Sequence, residues 1–363
     1  MLPVLKSPSR AELARQCVKC GLCLPHCPTY ALAGMEAESP RGRIALMADL
    51  AENPGQTGDF KHLNACLGCR RCETACPADV SYERLLVETR AIHPPALERR
   101  QKAALWLMAH KSLLNGVLDL YRRVFPLLPS SWRLLPRPAP ACTPAAAARS
   151  QNAIFIGCVA DRYEQNARMA FLQLLKAAGD DAALPDAQGC CGQAARHAGQ
   201  AGRAASLAAA NQSAFSGYAR VLVLASGCRS ALQDSVGVPV MDAMAFLAER
   251  AEKLQFRSAQ GRHVALHIPC TAAFHDSAQV TRLLLSRIPD LQVSVLPDAG
   301  CCGGAGLHQF GSPERAAALR APVLAAIPET AELLLSANIG CRLHLSGRRA
   351  VQHPLEFMAH YLA

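Results

Sequence analysis

The sequence predicts an α/β protein with an α-helical part, in which a helical N-terminal domain is followed by two duplicated α/β modules. Three observations lead to this prediction. The first eight cysteines form two tight groups within residues 1–98, separated by a segment of helical pattern. The second half of the chain repeats one arrangement of cysteines at a nearly fixed distance. In both copies, apolar runs typical of strands alternate with helical patterns, which is characteristic of parallel β-α units.

Composition limits the class of protein. The 363 residues are 51% apolar and 18% charged, which is typical of a folded chain of two or three domains. Aromatic residues make up only 5%, so we expect no stacking platform for nucleic acid and no nucleic acid partner. Residues 1–10 lack a secretory signal, and no apolar run approaches the ~18 residues of a membrane span. We therefore expect a cytoplasmic protein with reduced thiols, in which clustered cysteines indicate metal or redox chemistry.

The N-terminal cysteines form two copies of one motif, C-x2-C-x2-C-x3-C-P. The first copy consists of Cys17, Cys20, Cys23, Cys27 and Pro28, and the second of Cys66, Cys69, Cys72, Cys76 and Pro77. This spacing is that of two-cluster bacterial ferredoxins, in which the fourth cysteine of each run ligates the other cluster. We therefore predict two [4Fe–4S] clusters, one held by Cys17, Cys20, Cys23 and Cys76, the other by Cys66, Cys69, Cys72 and Cys27.

Zinc is the alternative for these cysteines, but four-cysteine zinc sites use two separate C-x2–4-C knuckles, which this spacing does not match. The 38 residues between Cys27 and Cys66 have a helical pattern with Pro40 near a helix start. We therefore expect a helical ferredoxin domain over residues 1–98. Arg41 and Arg43 in this segment either oppose the cluster charge or belong to a solvated helix start.

A linking region is expected over residues 99–150. Its first part has a basic, amphipathic helical pattern up to residue 125. Residues 126–144 contain six prolines, which exclude both a helix and a central strand. This segment is therefore a linker or a chain draped over a surface.

The rest of the chain is a duplication. Cys158 and Cys270 are 112 residues apart, the two Cys-Cys pairs are 111 apart, and Cys228 and Cys341 are 113 apart. A period of this length indicates duplicated domains, which we place at residues 151–257 and 258–363. The outer cysteines of each copy follow apolar runs, so we expect them at the carboxyl ends of strands, where open α/β sheets bind ligands.

Each module offers four cysteines: Cys158, Cys190, Cys191 and Cys228 in the first, and Cys270, Cys301, Cys302 and Cys341 in the second. Four thiolates that converge at strand ends favour a metal site or a further iron–sulfur cluster. A redox-active vicinal dithiol and buried structural cysteines are the two alternatives.

The whole pattern resembles a known family. Two ferredoxin motifs followed by two Cys-Cys-Gly modules are similar to the glycolate oxidase (glycolate dehydrogenase) iron–sulfur subunit. More broadly they resemble the heterodisulfide-reductase-related iron–sulfur proteins, including the anaerobic glycerol-3-phosphate dehydrogenase subunit. The segments 38–43, 225–228 and 337–345 are similar to the narrower family. The chain departs from the heterodisulfide reductase pattern, which ends each module in C-x2-C, because Ala231 and His344 stand at the last positions. Alanine cannot ligate, whereas His344 is either a ligand or a hydrogen-bonding core residue.

The resemblance implies an electron-transfer subunit of a membrane-associated, flavin-dependent 2-hydroxy-acid dehydrogenase. Partner flavoprotein subunits would oxidise glycolate to glyoxylate, and electrons would pass through the [4Fe–4S] clusters towards a quinone-level acceptor. The sequence has no dinucleotide fingerprint and no P-loop, so we expect no flavin, no NAD and no catalytic residue in this chain. Lactate or glycerol 3-phosphate as the partner's substrate, a thiol–disulfide enzyme that uses the vicinal cysteines, and a cluster-bearing scaffold or sensor are the alternatives.

The basic stretch of residues 99–135 has three interpretations. It would rest on an anionic membrane at the inner face of the cell, cap the ferredoxin domain, or dock the flavoprotein.

Overall fold

The computed structural model describes residues 8–363, except 54, 59, 130, 131, 134, 142–149, 276, 298, 299 and 348. Cys142, to which the sequence assigns no role, lies outside the described residues. The chain divides into two compact units, residues 1–98 with 194–201, and residues 99–193 with 202–363. No helix in the described parts of the chain is long and apolar enough to cross a membrane. The finer division into four segments stays a prediction.

The described residues of the first unit form helices joined by loops, without a strand, as predicted. Its helices are α1 (Arg10–Arg15), α2 (Pro28–Ala33), α3 (Pro40–Glu52), α4 (Lys61–Asn64), α5 (Arg71–Thr74) and α6 (Tyr82–Ile92), with a 3-10 turn at Glu36–Glu38. The segment between the two cysteine motifs forms α3, which begins where the Ser39 hydroxyl accepts a hydrogen bond from the Gly42 N–H at 2.9 Å. Buried side chains of α1, α3 and α6, among them Leu13, Met47 and Leu85, form the core.

The second unit is mixed α/β. Its first part contains α7 (Arg99–Ala109), α8 (Lys111–Val124), a 3-10 turn at Phe125–Leu127, β1 (Asn152–Phe155), α9 (Ala160–Tyr163) and α10 (Gln165–Ala177). Next along the chain is α11 (Gln193–His197), most of which belongs to the first unit. The first part of the second unit continues with α12 (Ala201–Phe215), β2 (Arg220–Val223), α13 (Ser226–Gln233), β3 (Val240–Asp242) and α14 (Ala243–Ala248). A 3-10 turn at Ala251–Lys253 follows. The second part contains β4 (His263–His267), a 3-10 turn at Cys270–His275, α15 (Ser277–Leu285), β5 (Gln292–Val295), α16 (His308–Gly311), α17 (Pro313–Ala325), β6 (Leu333–Ser336), α18 (Ile339–Leu345), β7 (Val351–Gln352) and α19 (Pro354–His360).

The duplication is visible in the sheets. One parallel sheet has the order β1-β2-β3 and the other has the order β5-β4-β6-β7. Ala153 pairs with Val221 in the first, and Ala265 pairs with Leu334 in the second. Where the second sheet has β5, the first has a single parallel bridge between Ala153 and Ala183. Both modules therefore follow one topology, which confirms the predicted α/β fold.

The two modules share a core. α10 of the first module packs against α19 of the second, and α15 of the second packs against α14 of the first. Since α10 corresponds to α15 and α14 to α19, the modules contact each other about a pseudo-twofold axis. Phe171, Leu247, Leu284 and Met358 lie in one buried cluster at this contact. The core is therefore continuous across the duplication.

His353 is a buried polar residue at this contact. The Leu355 N–H donates to its Nδ1 at 3.1 Å, so its Nε2–H donates to the Leu224 carbonyl at 3.1 Å. Burial, followed by the charge of Arg342, lowers the pKa of His353 from 6.5 to about 3. The neutral ring therefore caps α19 and joins it to the end of β2.

We expect His353 to lower the folding stability as the pH decreases. Between pH 6.5 and about pH 3, this side chain is protonated in the unfolded chain but neutral in the folded chain. The loss at pH 5 is about 2 kcal/mol. In His353→Asn, which keeps a capping oxygen, the thermal midpoint should fall less between pH 7 and pH 5 than in the wild type. His360→Gln, a change at an exposed position of α19, should keep the wild-type slope; an unchanged slope in His353→Asn would contradict the assignment.

Candidate metal-cluster sites

Two cavities in the first unit are lined by the ferredoxin-type cysteines. The first encloses about 440 Å³, part of it open to solvent, and its walls include Cys17, Cys20, Cys23 and Cys76. The second encloses about 300 Å³, and its walls include Cys66, Cys69, Cys72 and Cys27. Each cavity thus gathers three cysteines of one motif and the fourth cysteine of the other. Cys72, Pro40 and Tyr82 line both cavities, so they form a shared wall.

The two cysteine loops have the same backbone turn. In the first loop, Lys19 and Gly21 on either side of Cys20 have φ values of 56° and 84°. In the second loop, Gly68 and Arg70 on either side of Cys69 both have φ values of 62°. In each loop, the residues on either side of the second cysteine therefore have the left-handed backbone conformation, which bends the loop around its cavity. The space that a Cβ at Gly68 would need is filled by the His197 ring.

Buried positive charge surrounds the second cavity. The Arg43 side chain is 1% exposed, and its Nη1 lies 3.9 Å from Cys27 Sγ and 2.9 Å from the Thr29 hydroxyl. Arg43 Nη2 is buried and donates no hydrogen bond, although it lies 3.6 Å from Glu38. The Tyr82 hydroxyl donates to Cys66 Sγ at 3.5 Å. This cavity therefore suits an anionic group held by thiolates.

Arg90 holds the loop of the second motif. Its Nη2 donates to the carbonyl oxygens of Leu63, Asn64 and Cys66 at 2.9, 3.1 and 3.0 Å. Burial raises the pKa of Cys66, but the charges of Arg43 and Arg90 reverse this effect, so the pKa lies below its usual value. Arg90 therefore both positions the Cys66 loop and favours its thiolate.

Positive charge at the first cavity is more exposed. Arg41 lines this cavity, but its guanidinium binds the Glu36 carboxylate at 2.6 Å and donates to the Lys19 carbonyl at 3.2 Å. Since Glu36 offsets its charge, Arg41 mainly fastens the cysteine loop to α3. Of the two arginines that the sequence singles out, Arg43 is therefore the one whose charge is buried beside the cysteines.

In each α/β module the four predicted cysteines come together. Cys158 Sγ lies 3.5 Å from Cys190 Sγ, and Cys191 is hydrogen-bonded to Cys228. The second module repeats this arrangement, with Cys301 hydrogen-bonded to Cys270 and Cys302 Sγ lying 3.1 Å from Cys341 Sγ. Within the described residues, no three Cys, His, Asp or Glu side chains are arranged to hold a single ion. The eight thiols thus form two equivalent rows at the carboxyl ends of β1, β2, β4 and β6.

The glycine of each Cys-Cys-Gly motif has a backbone conformation that suits this residue. Gly192 and Gly303 have φ values of 83° and 78°, and each directs its N–H at the first cysteine of its pair. The Gly303 N–H lies 3.4 Å from Cys301 Sγ. Hydrogen bonds from Cys158 and Cys270, helped by the second cysteine of each pair, lower the pKa of Cys190 and Cys301 well below the usual value. In both modules the contacts therefore favour the thiolate of the first cysteine of the pair.

We expect the two glycines to differ in their tolerance of a side chain. A Cβ at Gly303 would overlap the Ala316 carbonyl oxygen, whereas one at Gly192 would lie 3.6 Å from the Ala204 carbonyl oxygen. Gly192→Ala should cost about 1–2 kcal/mol of backbone strain alone. Gly303→Ala should cost about 3 kcal/mol or more, because the backbone must also shift. Thermal midpoints of the two variants test this; equal losses would contradict the difference in packing.

The residues that replace the second cysteine of C-x2-C have other roles. Ala231 is buried in the core beside β2. His344 Nδ1 lies 2.6 Å from the Cys302 carbonyl oxygen, so this nitrogen donates to the backbone. Burial lowers the pKa of His344. The sequence left two interpretations of His344, a ligand or a hydrogen-bonding core residue. In the structure, His344 is hydrogen-bonded to the backbone of the Cys-Cys pair.

Tyr82 and Arg90 are site residues that the sequence reasoning missed. They occupy the same face of α6, together with the fully buried Leu86, because the three positions are four residues apart. An arginine on the apolar face of a helix, shortly after a cysteine motif, is the signal that would have revealed Arg90. Tyr82 carries no comparable signal, because a tyrosine on such a face is usually part of the core.

Family models match most of the chain's cysteine-bearing regions. Residues 13–80 match a 4Fe-4S dicluster domain. Residues 152–233 and 264–346 each match a cysteine-rich domain whose model is named for its Cys-Cys-Gly motif. The first match covers the two cavities, and the second covers both rows of thiols. The N-terminal region is thus a two-cluster iron–sulfur domain, and the duplication consists of two copies of one known domain.

Several relatives match nearly the whole length of the chain. The chain is 28% identical to the glycolate oxidase iron-sulfur subunit of Escherichia coli K12, over 96% of this chain and 94% of the relative. It is 30% identical to a probable glycolate oxidase iron-sulfur subunit of Bacillus subtilis 168, over 91% of this chain and 87% of the relative. A subunit of the dihydromethanophenazine:CoB–CoM heterodisulfide reductase of Methanosarcina barkeri is 25% identical, over 93% and 89% of the two chains.

Proposed function

Because the chain belongs to the family of the glycolate oxidase iron–sulfur subunit, we propose that it takes electrons from a flavoprotein that oxidises glycolate to glyoxylate. The resemblance predicted from the cysteine pattern is thereby confirmed, and the chain is an iron–sulfur electron-transfer subunit of an oxidoreductase. The observation that carries the proposal is the pair of four-cysteine cavities with a common wall. Glycolate as the substrate and a quinone-level final acceptor are parts of the proposal.

The proposal assigns ligands to the two clusters. Cys17, Cys20, Cys23 and Cys76 would hold one [4Fe–4S] cluster, and Cys66, Cys69, Cys72 and Cys27 the other, because these sets line the two cavities. Bound clusters of this type supply one-electron transfer. Arg43 offsets negative charge in the second cavity, and Tyr82 donates a hydrogen bond to a ligand sulfur. The shared wall of Cys72, Pro40 and Tyr82 shortens the path between the two cavities.

The α/β modules would continue the electron path. We assign a further iron–sulfur cluster to the thiols of Cys158, Cys190, Cys191 and Cys228, and of Cys270, Cys301, Cys302 and Cys341. Support comes from the matching contacts in both rows and from the acidified first cysteine of each pair. The protein would work in the cytoplasm beside the inner face of the membrane, where a quinone-level acceptor is within reach.

The test is an anaerobic pull-down of the native chain, followed by a substrate panel. We expect a flavin-bearing protein to co-elute. Glycolate should bleach the cluster absorbance and reduce an added dye, whereas lactate and glycerol 3-phosphate should do so at least about tenfold more slowly. Faster reduction by lactate or glycerol 3-phosphate would contradict glycolate as the substrate. If no flavoprotein co-elutes and a disulfide is turned over instead, the electron-transfer proposal fails.

A further inference from the structure

Helix α8 presents its polar side to the protein. Lys111, Asn115 and Asp119 are four residues apart and therefore share one face of the helix. The Asn115 amide donates to Asp161 Oδ2 at 2.7 Å, and the Lys111 ammonium lies 3.5 Å from the same oxygen. Asp119 accepts two hydrogen bonds from the Arg162 guanidinium at 2.8 and 3.1 Å. The charged positions of α8 are thus used in attaching it to the second unit.

The apolar side of α8 is turned to solvent instead. Leu113, Val117 and Leu120 follow each other at helical spacing on one face, and Leu120 is 60% exposed. Leu114 and Leu118 on the neighbouring face are buried, so the helix has a separate apolar side for packing. An apolar row that faces solvent, in addition to the buried apolar row, is unusual for a surface helix, whose solvent side is normally polar. This exposed apolar face is therefore a candidate interaction site, and no described part of the chain covers it.

Further exposed aromatic and apolar side chains lie on α7 and in the segment that follows α8. Trp106 on α7 is 45% exposed, Leu127 is 85% exposed, and Trp132 is 69% exposed. These are the chain's two tryptophans, so both lie on or near the same helical pair. The segment after the helices is fastened to α8, since the Tyr121 hydroxyl donates to the Leu135 carbonyl at 2.7 Å. Tryptophan favours the boundary between water and lipid, because its ring is amphipathic.

The segment that carries this face is strongly positive. Residues 99–137 contain eight basic residues and one acidic residue, a net charge of +7 in a chain whose net charge is +10. The single acid is Asp119, which is paired with Arg162. The exposed cations are Arg99, Arg100, Lys102, Arg123, Arg133 and Arg137. A surface of this kind attracts a dense layer of negative charge.

We propose that the α8 face, formed by Leu113, Val117 and Leu120, docks on an anionic lipid bilayer together with the exposed side chains of Trp106, Leu127 and Trp132 in the adjoining segments. The apolar row would enter the boundary between headgroups and acyl chains, and the surrounding arginines would contact lipid phosphates. Charge complementarity, the placement of both tryptophans and the absence of an unpaired acid in this segment favour lipid over a protein partner. The inference rests on the proposed function in one respect: it brings the electron-transfer subunit to a membrane-soluble acceptor.

Vesicle binding tests the proposal directly. The full chain is mixed anaerobically with vesicles of equal parts phosphatidylglycerol and phosphatidylcholine, and with vesicles of phosphatidylcholine alone. We expect sedimentation with the anionic vesicles only, weakened by salt, and a blue shift of the tryptophan emission, which reports this face alone. The double variant Val117→Glu/Leu120→Glu should bind at least about tenfold more weakly. Leu283→Glu, at an exposed leucine of α15, should bind as the wild type does.

Two results would overturn the proposal. One is the absence of binding to anionic vesicles, and the other is equal binding by the wild type and the double variant. If the double variant binds vesicles normally but no longer co-elutes with the flavoprotein, the α8 face is a protein interface. Glycolate-dependent dye reduction by the vesicle-free complex separates this inference from the proposed function, because the double variant should retain it. If the wild-type complex fails to reduce dye, the proposed function fails whatever the vesicles show.

Discussion

Replacing Cys27 with alanine is expected to abolish the cluster of the second motif and to leave that of the first motif intact. Cys27 belongs to the first motif in sequence, but it lines the cavity of Cys66, Cys69 and Cys72. Iron and acid-labile sulfide should therefore fall by up to about four atoms each per chain. Iron bound elsewhere in the chain cancels in this difference. Cys76→Ala is the matched control, since it should remove the other cluster.

Double variants make this prediction sharper. Cys27→Ala combined with Cys66→Ala should remove no more iron than either change alone, because both side chains serve one cluster. Cys27→Ala combined with Cys17→Ala should remove about twice as much. The opposite result, in which Cys27 and Cys17 behave as one unit, would show that each motif holds its own cluster. Retention of the cluster that is not targeted also shows that the variant has folded.

Replacing Arg342 with methionine is expected to cause the largest loss of stability in the second unit. The buried guanidinium of Arg342 binds Glu164 Oε1 at 2.7 Å and Glu356 Oε1 at 3.0 Å. It thus joins α18 to α19 and to the start of α10. Without it, two carboxylates with side chains 3% and 14% exposed lose their counter-ion. A loss of about 3–5 kcal/mol is expected, which corresponds to roughly 10 °C in the thermal midpoint.

The pH dependence of this variant identifies the cause. Burial already raises the pKa of Glu356, and removal of Arg342 removes the charge that opposes this effect. The folded variant then favours a protonated Glu356 more than the unfolded chain does, so its deficit should be smaller at pH 5 than at pH 8. Adding Glu164→Gln and Glu356→Gln should restore part of the midpoint. A deficit that does not change with pH would show that lost packing, rather than unpaired charge, is responsible.

Cysteine spacing predicted much of the site. The x2-x2-x3 runs give the same two sets of cysteines that line the two cavities, and their role as cluster ligands stays a prediction. The offsets of 111 to 113 residues likewise identified the duplication. The positions of Cys158, Cys228, Cys270 and Cys341 after apolar runs placed them correctly beyond β1, β2, β4 and β6.

The remaining features depend on tertiary contacts. β3 and β7 contain three and two residues, so no apolar run distinguishes them from loops. The burial of Arg43 follows from the folding of α3 over the Cys66 loop, and a Ser-Pro-Arg-Gly-Arg segment reads equally well as a solvated helix start. The pseudo-twofold contact of α10 with α19 joins residues nearly 200 positions apart. Single-sequence periodicity indicates that such helices have an apolar face, but not which helix covers it.

The most direct test of electron transfer through this chain is to observe electrons from glycolate arriving in it. The anaerobic complex with its flavoprotein partner is mixed with glycolate, frozen within a single turnover, and measured by electron paramagnetic resonance. We expect signals of reduced [4Fe–4S] clusters that grow as the flavin is reduced, diminish in Cys27→Ala, and disappear when a quinone analogue is added. The contrary result is that glycolate is turned over, the flavin is reduced and the acceptor is consumed while the clusters stay oxidised throughout. This result would contradict an electron path through this chain.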